Sequence, residues 1–223
     1  MADKIIVFGA SEGFGTLVGW ESKGTSVPDT KTRAAAMTKM GDEIASHLHD
    51  EKIEATENLE CNNNTNTIPT KIGDFLNSLY ILTQIAITTS LDAYASMTLT
   101  GHNHGTNPHA ASPALRTSTH GKTLVKCFGA TDFLGGTAGD NASPIAGSLT
   151  IKIDHADQND MGGDHLVGEN HNPMMEAHTT WAGVPTVPAD VLVGWDLTVA
   201  TTTDERTGFK KTEVTGIKRL TIS

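Results

Sequence analysis

The sequence predicts a mainly β protein: two tandem, similar β-sandwich or barrel domains of antiparallel strands, each with at most a short flanking helix. Three observations lead there. Threonine occurs 32 times in 223 residues, and a β-branched side chain loses rotamer freedom in a helix while packing well on a pleated surface. Short Thr/Val/Ile-rich runs bounded by Gly, Asp, Asn or Pro recur along the chain. Finally, segments of the first half reappear in the same order in the second.

Taken in chain order, Ile5 to Phe8 is the first strand-like run and ends at a Gly-Ala turn. Lys31 to Leu48 carries an alanine run, but Gly41-Asp42 interrupts it and its apolar positions keep no 3.6-residue period, so no helix is expected there. Lys71 to Tyr80 does place Phe75, Leu76 and Leu79 on one helical face and is expected as a short helix. Tyr80 to Thr89, Ala95 to Thr100, Leu149 to Asp154, Val191 to Thr203 and Gly208 to Thr215 are expected as strands.

The repeat begins with Phe8-Gly9-Ala10-Ser11, which recurs as Phe128-Gly129-Ala130-Thr131 at an offset of 120. Gly41-Asp42-Glu43-Ile44-Ala45 matches Gly163-Asp164-His165-Leu166-Val167. Without a gap, His49-Asp50 and Glu54-Ala55 then fall on His171-Asn172 and Glu176-Ala177, an offset of 122. Ile68-Pro69 matches Val187-Pro188, and Tyr94 through Gly101 matches Phe209 through Gly216 at 115. Collinear matches with slowly drifting offsets point to tandem duplication of one unit. Thr100 to Gly121 is rich in Gly, Asn, Pro, Ala, Ser and His and has no acidic residue, the composition of a linker. The expected organisation is therefore a first β domain over 1–101, a linker over 102–121 and a second β domain over 122–223.

Composition limits the function classes. Hydrophobic residues at 37% and 22 glycines suit a globular chain rather than a disordered one. Nothing approaches the roughly 20 apolar residues of a membrane helix, and Met1-Ala2-Asp3-Lys4 followed by four apolar residues lacks a secretory core, so a soluble, unexported product is expected. A net charge of −10 offers no basic stripe to neutralise phosphates, so tight nucleic-acid binding is not expected. Cys61 and Cys127 are expected as buried or half-buried free thiols.

Candidate chemistry is sparse. Gly9, Gly13 and Gly15 after Lys4-Ile5-Ile6-Val7 read like the dinucleotide turn of short-chain dehydrogenases. The following stretch to Gly24 is too Gly-interrupted for the required helix, and neither Tyr80 nor Tyr94 has a lysine four residues on. His102, His104 and His109 cluster as a divalent site could use, yet no Asp or Glu lies between Tyr94 and Lys126, and surface histidines in a polar linker are the expected case. Ser11 lies in a shifted Gly-x-Ser-x-Gly frame and is expected as a turn serine. Asp50/Glu51 and Glu54/Glu57 read as solvated charges. No catalytic, cofactor-binding or metal-ligating residue is assigned, and no enzyme is expected.

The duplicated unit resembles the tail tube proteins of tailed bacteriophages and related injection machines. The resemblance is carried by Tyr80-Ile81-Leu82-Thr83 through Ser90 and Ala95 to Thr100 in the first half. In the second it is carried by Gly194-Trp195-Asp196-Leu197-Thr198, Thr201 to Lys211 and Glu213-Val214-Thr215, a penultimate strand, polar turn and closing strand. The resemblance implies two tube domains in one chain, three chains per pseudo-hexameric ring, and stacked rings forming a DNA conduit inside the virion tail, assembled in the host cytoplasm. Its implied partners are the chain itself, a tail terminator, a tape measure and, in a contractile tail, a sheath. DNA would pass without specific binding, no membrane is involved and no cofactor is implied. An acidic wall would repel phosphate. Alternatives are another virion β protein, such as a tail terminator or capsid decoration, and a dinucleotide-binding oxidoreductase. Loops 12–30 and 132–148 are expected as arms toward a neighbouring domain or ring, with Phe14, Trp20, Phe133 and Leu134 as subunit-interface anchors, since aromatics in polar loops are costly to leave in water.

Overall fold

The computed structural model describes residues 14–41, 43–76, 80–103, 116–121, 125–134, 142–159, 165–184, 194–203 and 210–223. Every regular element among them is a strand. In chain order these are β1 (Trp20–Ser26), β2 (Asp29–Met37), β3 (Glu43–Cys61), β4 (Lys71–Ile72), β5 (Phe75–Leu76), β6 (Tyr80–Ser90), β7 (Ala93–Asn103), β8 (Ser118–Thr119), β9 (Ser143–Asn159), β10 (His165–Ala182), β11 (Asp196–Thr203) and β12 (Lys211–Arg219). The protein is mainly β and antiparallel, as the threonine excess predicts. Ten strands form one sheet in the order β1-β3-β7-β6-β9-β10-β12-β11, with β2 also on β3 and β5 on β6, while β4 and β8 pair as a separate ribbon.

The helix expected over Lys71 to Tyr80 does not form among the described residues of that stretch. Gly73 takes φ +82°, where a helix cannot continue. Phe75 and Leu76 then fold back to pair with Ile81 and Tyr80 as β5. An isolated helix of that length is marginal in water, whereas a hairpin against β6 joins an existing ladder. Residues 5–8 lie outside the described residues.

Alternation along the strands gives the sheet two unlike faces. Leu59, Ile85, Ile87, Met97, Leu99, Leu149, Ile151, Met175, Ala177 and Val214 are buried on one face. That face is covered by irregular segments carrying Phe14, Ile68, Val125, Cys127, Phe133 and Leu134, which join the same core. The other face is polar: Thr88 bonds Ser96 at 2.6 Å and Thr98 donates to Asn58 at 2.9 Å, both exposed. A one-sided antiparallel sheet of this kind explains the threonines, which serve as β-formers that tolerate water.

Strand pairing repeats along the chain. Glu21↔Glu60, Ser22↔Leu59 and Gly24↔Asn58 recur 122 positions later as Ser143↔Ala182, Pro144↔Trp181 and Ala146↔Thr180. Asp29↔Ile53, Thr30↔Lys52, Thr32↔His49 and Met37↔Glu43 recur as Ile151↔Met175, Lys152↔Met174, Asp154↔His171 and Asn159↔His165. The register breaks coincide as well. Ala55↔Gly101 on β3–β7 corresponds to Ala177↔Gly216 on β10–β12, at 122 and 115. Leu82↔Gly101 then Gln84↔Thr100 corresponds to Leu197↔Gly216 then Val199↔Thr215, each bulging at a threonine, Thr83 and Thr198. β1 and β2 thus act as one strand interrupted at Val27-Pro28 and stand where β9 stands in the second set.

Two glycines receive equivalent side chains. A Cβ at Gly101 would lie 2.7 Å from the Phe14 ring, and one at Gly216 would lie 2.8 Å from Leu134 Cδ2. A carboxylate secures each of these side chains by its backbone: Glu57 accepts from Phe14 N at 2.9 Å, and Asp132 accepts from Leu134 N at 3.0 Å while also accepting from Thr179. Glu57 and Thr179 are themselves 122 positions apart. Glu57, read from sequence as a solvated charge, is fully buried. Its strand position puts it on the apolar face, where it satisfies the Phe14 amide.

Of the stretch 102–121, His102 and Asn103 belong to β7, residues 104–115 lie outside the described residues, and Ser118–Thr119 pairs with Lys71–Ile72. Ser118 also donates to Thr221 O at 2.8 Å, tying this segment to the chain's last residues. His120 Nε2 lies 2.6 Å from the Pro69 carbonyl, which can only accept, so Nε2 carries the hydrogen. Burial pushes the His120 pKa below its usual value, partly offset by that hydrogen bond. With the folded pKa depressed, the unfolded chain takes up the proton first as pH falls. The contribution of His120 to stability is therefore present above about pH 6.5 and is lost as pH drops toward the folded value. We expect the loss of Tm between pH 7 and pH 5 to shrink in His120→Gln, as read by scanning calorimetry.

Candidate functional site

Two features stand out, the ends of the large sheet and a histidine–carboxylate cluster at its centre. The sheet runs from the first half into the second through β6 and β9, where Gln84, Ile85, Ala86, Ile87, Thr88, Thr89 and Ser90 face Lys152, Ile151, Thr150, Leu149, Ser148, Gly147 and Ala146. Among the described residues nothing pairs with the outer side of β1 and β2 at one end or of β11 at the other. These ends correspond in register to the two strands already joined: β1/β2 to β9, and β11 to β6. Pro28 does not blunt its end. Its carbonyl accepts from Glu54 N on β3 at 3.2 Å, and the N–H and C=O of one strand residue face the same neighbour. The donor Pro28 lacks is therefore an inward one, and the outward groups belong to Val27 and Asp29. Val27 and Leu197, one at each end, are exposed apolar residues.

The cluster joins β7 to β9 across the start of β6. The rings of His102 and His155 lie 4.1 Å apart, and His155 Nε2 lies 2.7 Å from Asp157 Oδ1. Asn170, fully buried, donates through Nδ2 to the carbonyls of Gly73 at 3.0 Å and Arg116 at 2.7 Å. Carbonyls only accept, so the amide orientation is fixed and Asn170 Oδ1 faces His155 Nδ1 at 2.6 Å as an acceptor. His155 Nδ1 is thereby the donor and Nε2 points toward Asp157. A Cβ on Gly168 would sit 2.7 Å from His155 Nε2, so only glycine leaves room for the ring. His102, His155 and Asp157 each offer a ligand atom, all within 4.8 Å of one another.

Phe14, Trp20, Phe133 and Leu134, the expected interface anchors, are 3%, 5%, 3% and 4% exposed. All four fill the chain's own core, because the apolar face of the sheet is the nearest surface able to take them. His102, expected as a surface residue, is buried against His155, while His104 and His109 lie outside the described residues. Cys61 and Cys127 are both free and buried. Burial pushes the Cys61 thiol far above its usual pKa, reinforced by a hydrogen bond with Cys127. Ser11, Gly9 and Gly13 lie outside the described residues, and after Gly15 the chain enters β1 rather than a helix, so the context a dinucleotide fingerprint requires is missing there. Sequence reading missed the cluster because His102 and His155 stand 53 positions apart. The one local signal was His155-x-Asp157, an alternation that puts both side chains on one face of a strand. No protein-family model matches the chain, and no curated protein matches its sequence.

Proposed function

We propose that the chain is a structural, self-assembling subunit of the tail-tube kind, built by duplication of one four-strand unit and closing into rings around a hollow bore. The observation that supports this reading is the repeated register. β1/β2-β3-β7-β6 and β9-β10-β12-β11 have the same order and bulges, they meet through β6 and β9, and the two outer ends match the strands of that seam. A head-to-tail contact reusing the seam leaves each chain with another unsatisfied end until the ring closes. Closure also removes the exposed edges that make open sheets aggregate. The polar face, with Glu21, Glu54, Glu60, Glu176 and Glu213 against Lys23, Lys152, Lys211 and Arg219, suits a wall past which DNA slides without sticking.

The seam sets the register of the contact between chains. Thr88↔Ser148 translates to Thr203 of one chain facing Ser26 of the next, both exposed. In a double variant Ser26→Cys/Thr203→Cys, paired Cα atoms at about 4.5–5.5 Å fall within disulfide reach. Mild oxidation of concentrated protein is expected to give covalent oligomers ending at a closed trimer, with rings or tubes of constant bore by negative-stain microscopy. Monomers under every condition, with no cross-link, would remove the proposal.

A further inference from the structure

We propose that His102, His155 and Asp157 bind one divalent transition-metal ion of the zinc class, which staples β7 to β9 across β6. Two imidazoles and one carboxylate form a donor set suited to zinc, cobalt or nickel rather than to magnesium or calcium, which prefer oxygen ligands alone. Ligand atoms at about 2.0–2.1 Å from a tetrahedral ion stand roughly 3.3 Å from one another, and here all three lie within 4.8 Å. An ion would bring these separations, 2.7 Å between His155 Nε2 and Asp157 Oδ1 and at most 4.8 Å overall, to that spacing.

The surroundings are those of a built site. Asn170 acts as the outer group that metal-bound histidines commonly require: its oxygen accepts from His155 Nδ1, which fixes the ring and leaves Nε2 for the ion. Asn170 is anchored in turn by the carbonyls of Gly73 and Arg116. Gly168 supplies the space beneath the ring. The His155 side chain is 2% exposed and that of Asp157 22%, so an ion enters from the Asp157 side and keeps a solvent-facing position for water.

The site belongs to the inner seam alone. At offsets of 122 and 115, the positions of His155, Gly168, Asn170 and His102 correspond to Arg33, Ser46, Leu48 and Ile217, which cannot reproduce it. The ion would therefore brace the one place where the two strand sets of a single chain meet, and the inference holds whether or not chains form tubes.

The test is titration of chelator-stripped, untagged full-length protein with zinc chloride by calorimetry, with cobalt(II) as a spectroscopic probe. One ion per chain, a visible cobalt band of tetrahedral character and a rise in Tm with excess zinc are expected. His102→Gln and Asp157→Asn should each weaken binding by roughly tenfold or more, and Asn170→Ser by about 10–100-fold with stoichiometry kept. His120→Gln and His178→Gln should bind as the parent does. Because Asp157 is the most accessible of the three, Asp157→Asn remains informative should His102→Gln fail to fold. Binding no tighter than roughly millimolar, or undiminished binding in His102→Gln/Asp157→Asn, would overturn the proposal and leave a His155–Asp157 contact only.

Discussion

Gly147→Val should lower stability by about 3 kcal/mol or more, whereas Gly24→Ala, its near neighbour in the repeat, should be neutral or stabilising by a few tenths of a kcal/mol. Gly147 lies on β9 at the seam, paired with Thr89, and a Cβ there would fall inside contact distance of the Thr131 carbonyl oxygen, with Thr89 Oγ1 at 3.1 Å and the Phe133 ring at 3.3 Å. The nearest obstacle is backbone in the segment over the apolar face, and backbone cannot rotate away as a side-chain tip can. Thr89 Oγ1 also accepts from Thr131 N at 2.9 Å and donates to Gly147 O at 3.2 Å, so displacing residue 131 breaks the first of these bonds. The position 122 earlier is Thr25, on the outer strand, where the sequence tolerates a side chain. Gly24 has nothing within 4 Å of its would-be Cβ and matches Ala146, so Gly24→Ala installs the second copy's own residue. For a chain of this size the Gly147 change corresponds to a fall of roughly 6–12 °C in Tm, read by thermal unfolding. Equal effects of the two substitutions would show that the seam is not packed as described.

How far the sequence reveals this architecture depends on which force shapes each element. β6, β7, β12 and the middle of β9 were legible from their β-branched alternation because each has one buried face, whereas the start of β9 at Ser143 to Ser148 was read as loop. β3 and β10, the longest strands, were not: Glu54, Glu57, Glu60, Gly168, Asn170, Asn172 and Pro173 give them little strand character of their own. Neighbours on both sides hold them in place, a tertiary effect that local propensity does not contain. The repeat partly compensated, since the offset of 122 read from His49, Glu54 and Ala55 is the offset of the β3 and β10 registers. The helix over Lys71 to Tyr80 failed because three apolar residues at helical spacing carried less weight than a ladder with β6 and a left-handed Gly73. Glu57 read as a surface charge, and Asn170 gave no signal, because burial of a polar group depends on a partner distant in sequence, here Phe14, Gly73 and Arg116.

Asn66→Asp should cost about 3–5 kcal/mol although it changes no heavy-atom volume, because Asn66 acts as a surrogate peptide group. It is fully buried, accepts from Val125 N at 3.0 Å and donates to Val125 O at 2.6 Å, so one amide satisfies both backbone groups of a residue in no ladder. The same nitrogen donates to Asn63 O at 3.1 Å and lies 3.4 Å from Cys61 Sγ. A carboxylate would still accept from Val125 N, but it would turn a second oxygen on the Val125 carbonyl and strand a buried acceptor. Each such buried group costs about 1–3 kcal/mol, more when a charge is involved. Asn66→Leu removes both bonds without adding charge and should fall in the same range. Among the described residues, loss of this clasp leaves the segment carrying Cys127, Phe133 and Leu134 tied to the loop after β3 only through Cys127 N and Asn64 Oδ1 at 3.2 Å, which leads to a second measurement. Cys61 is expected to react slowly in the parent because burial favours its protonated thiol. In both variants its reaction with an aromatic disulfide reagent should accelerate under conditions where far-UV circular dichroism still reports an intact sheet. Unchanged thiol reactivity together with a loss under about 1 kcal/mol would mean that the segment over the apolar face is held by its packing and its bonds to Asn64, Thr89 and Thr179, and that the Asn66 amide is incidental to it.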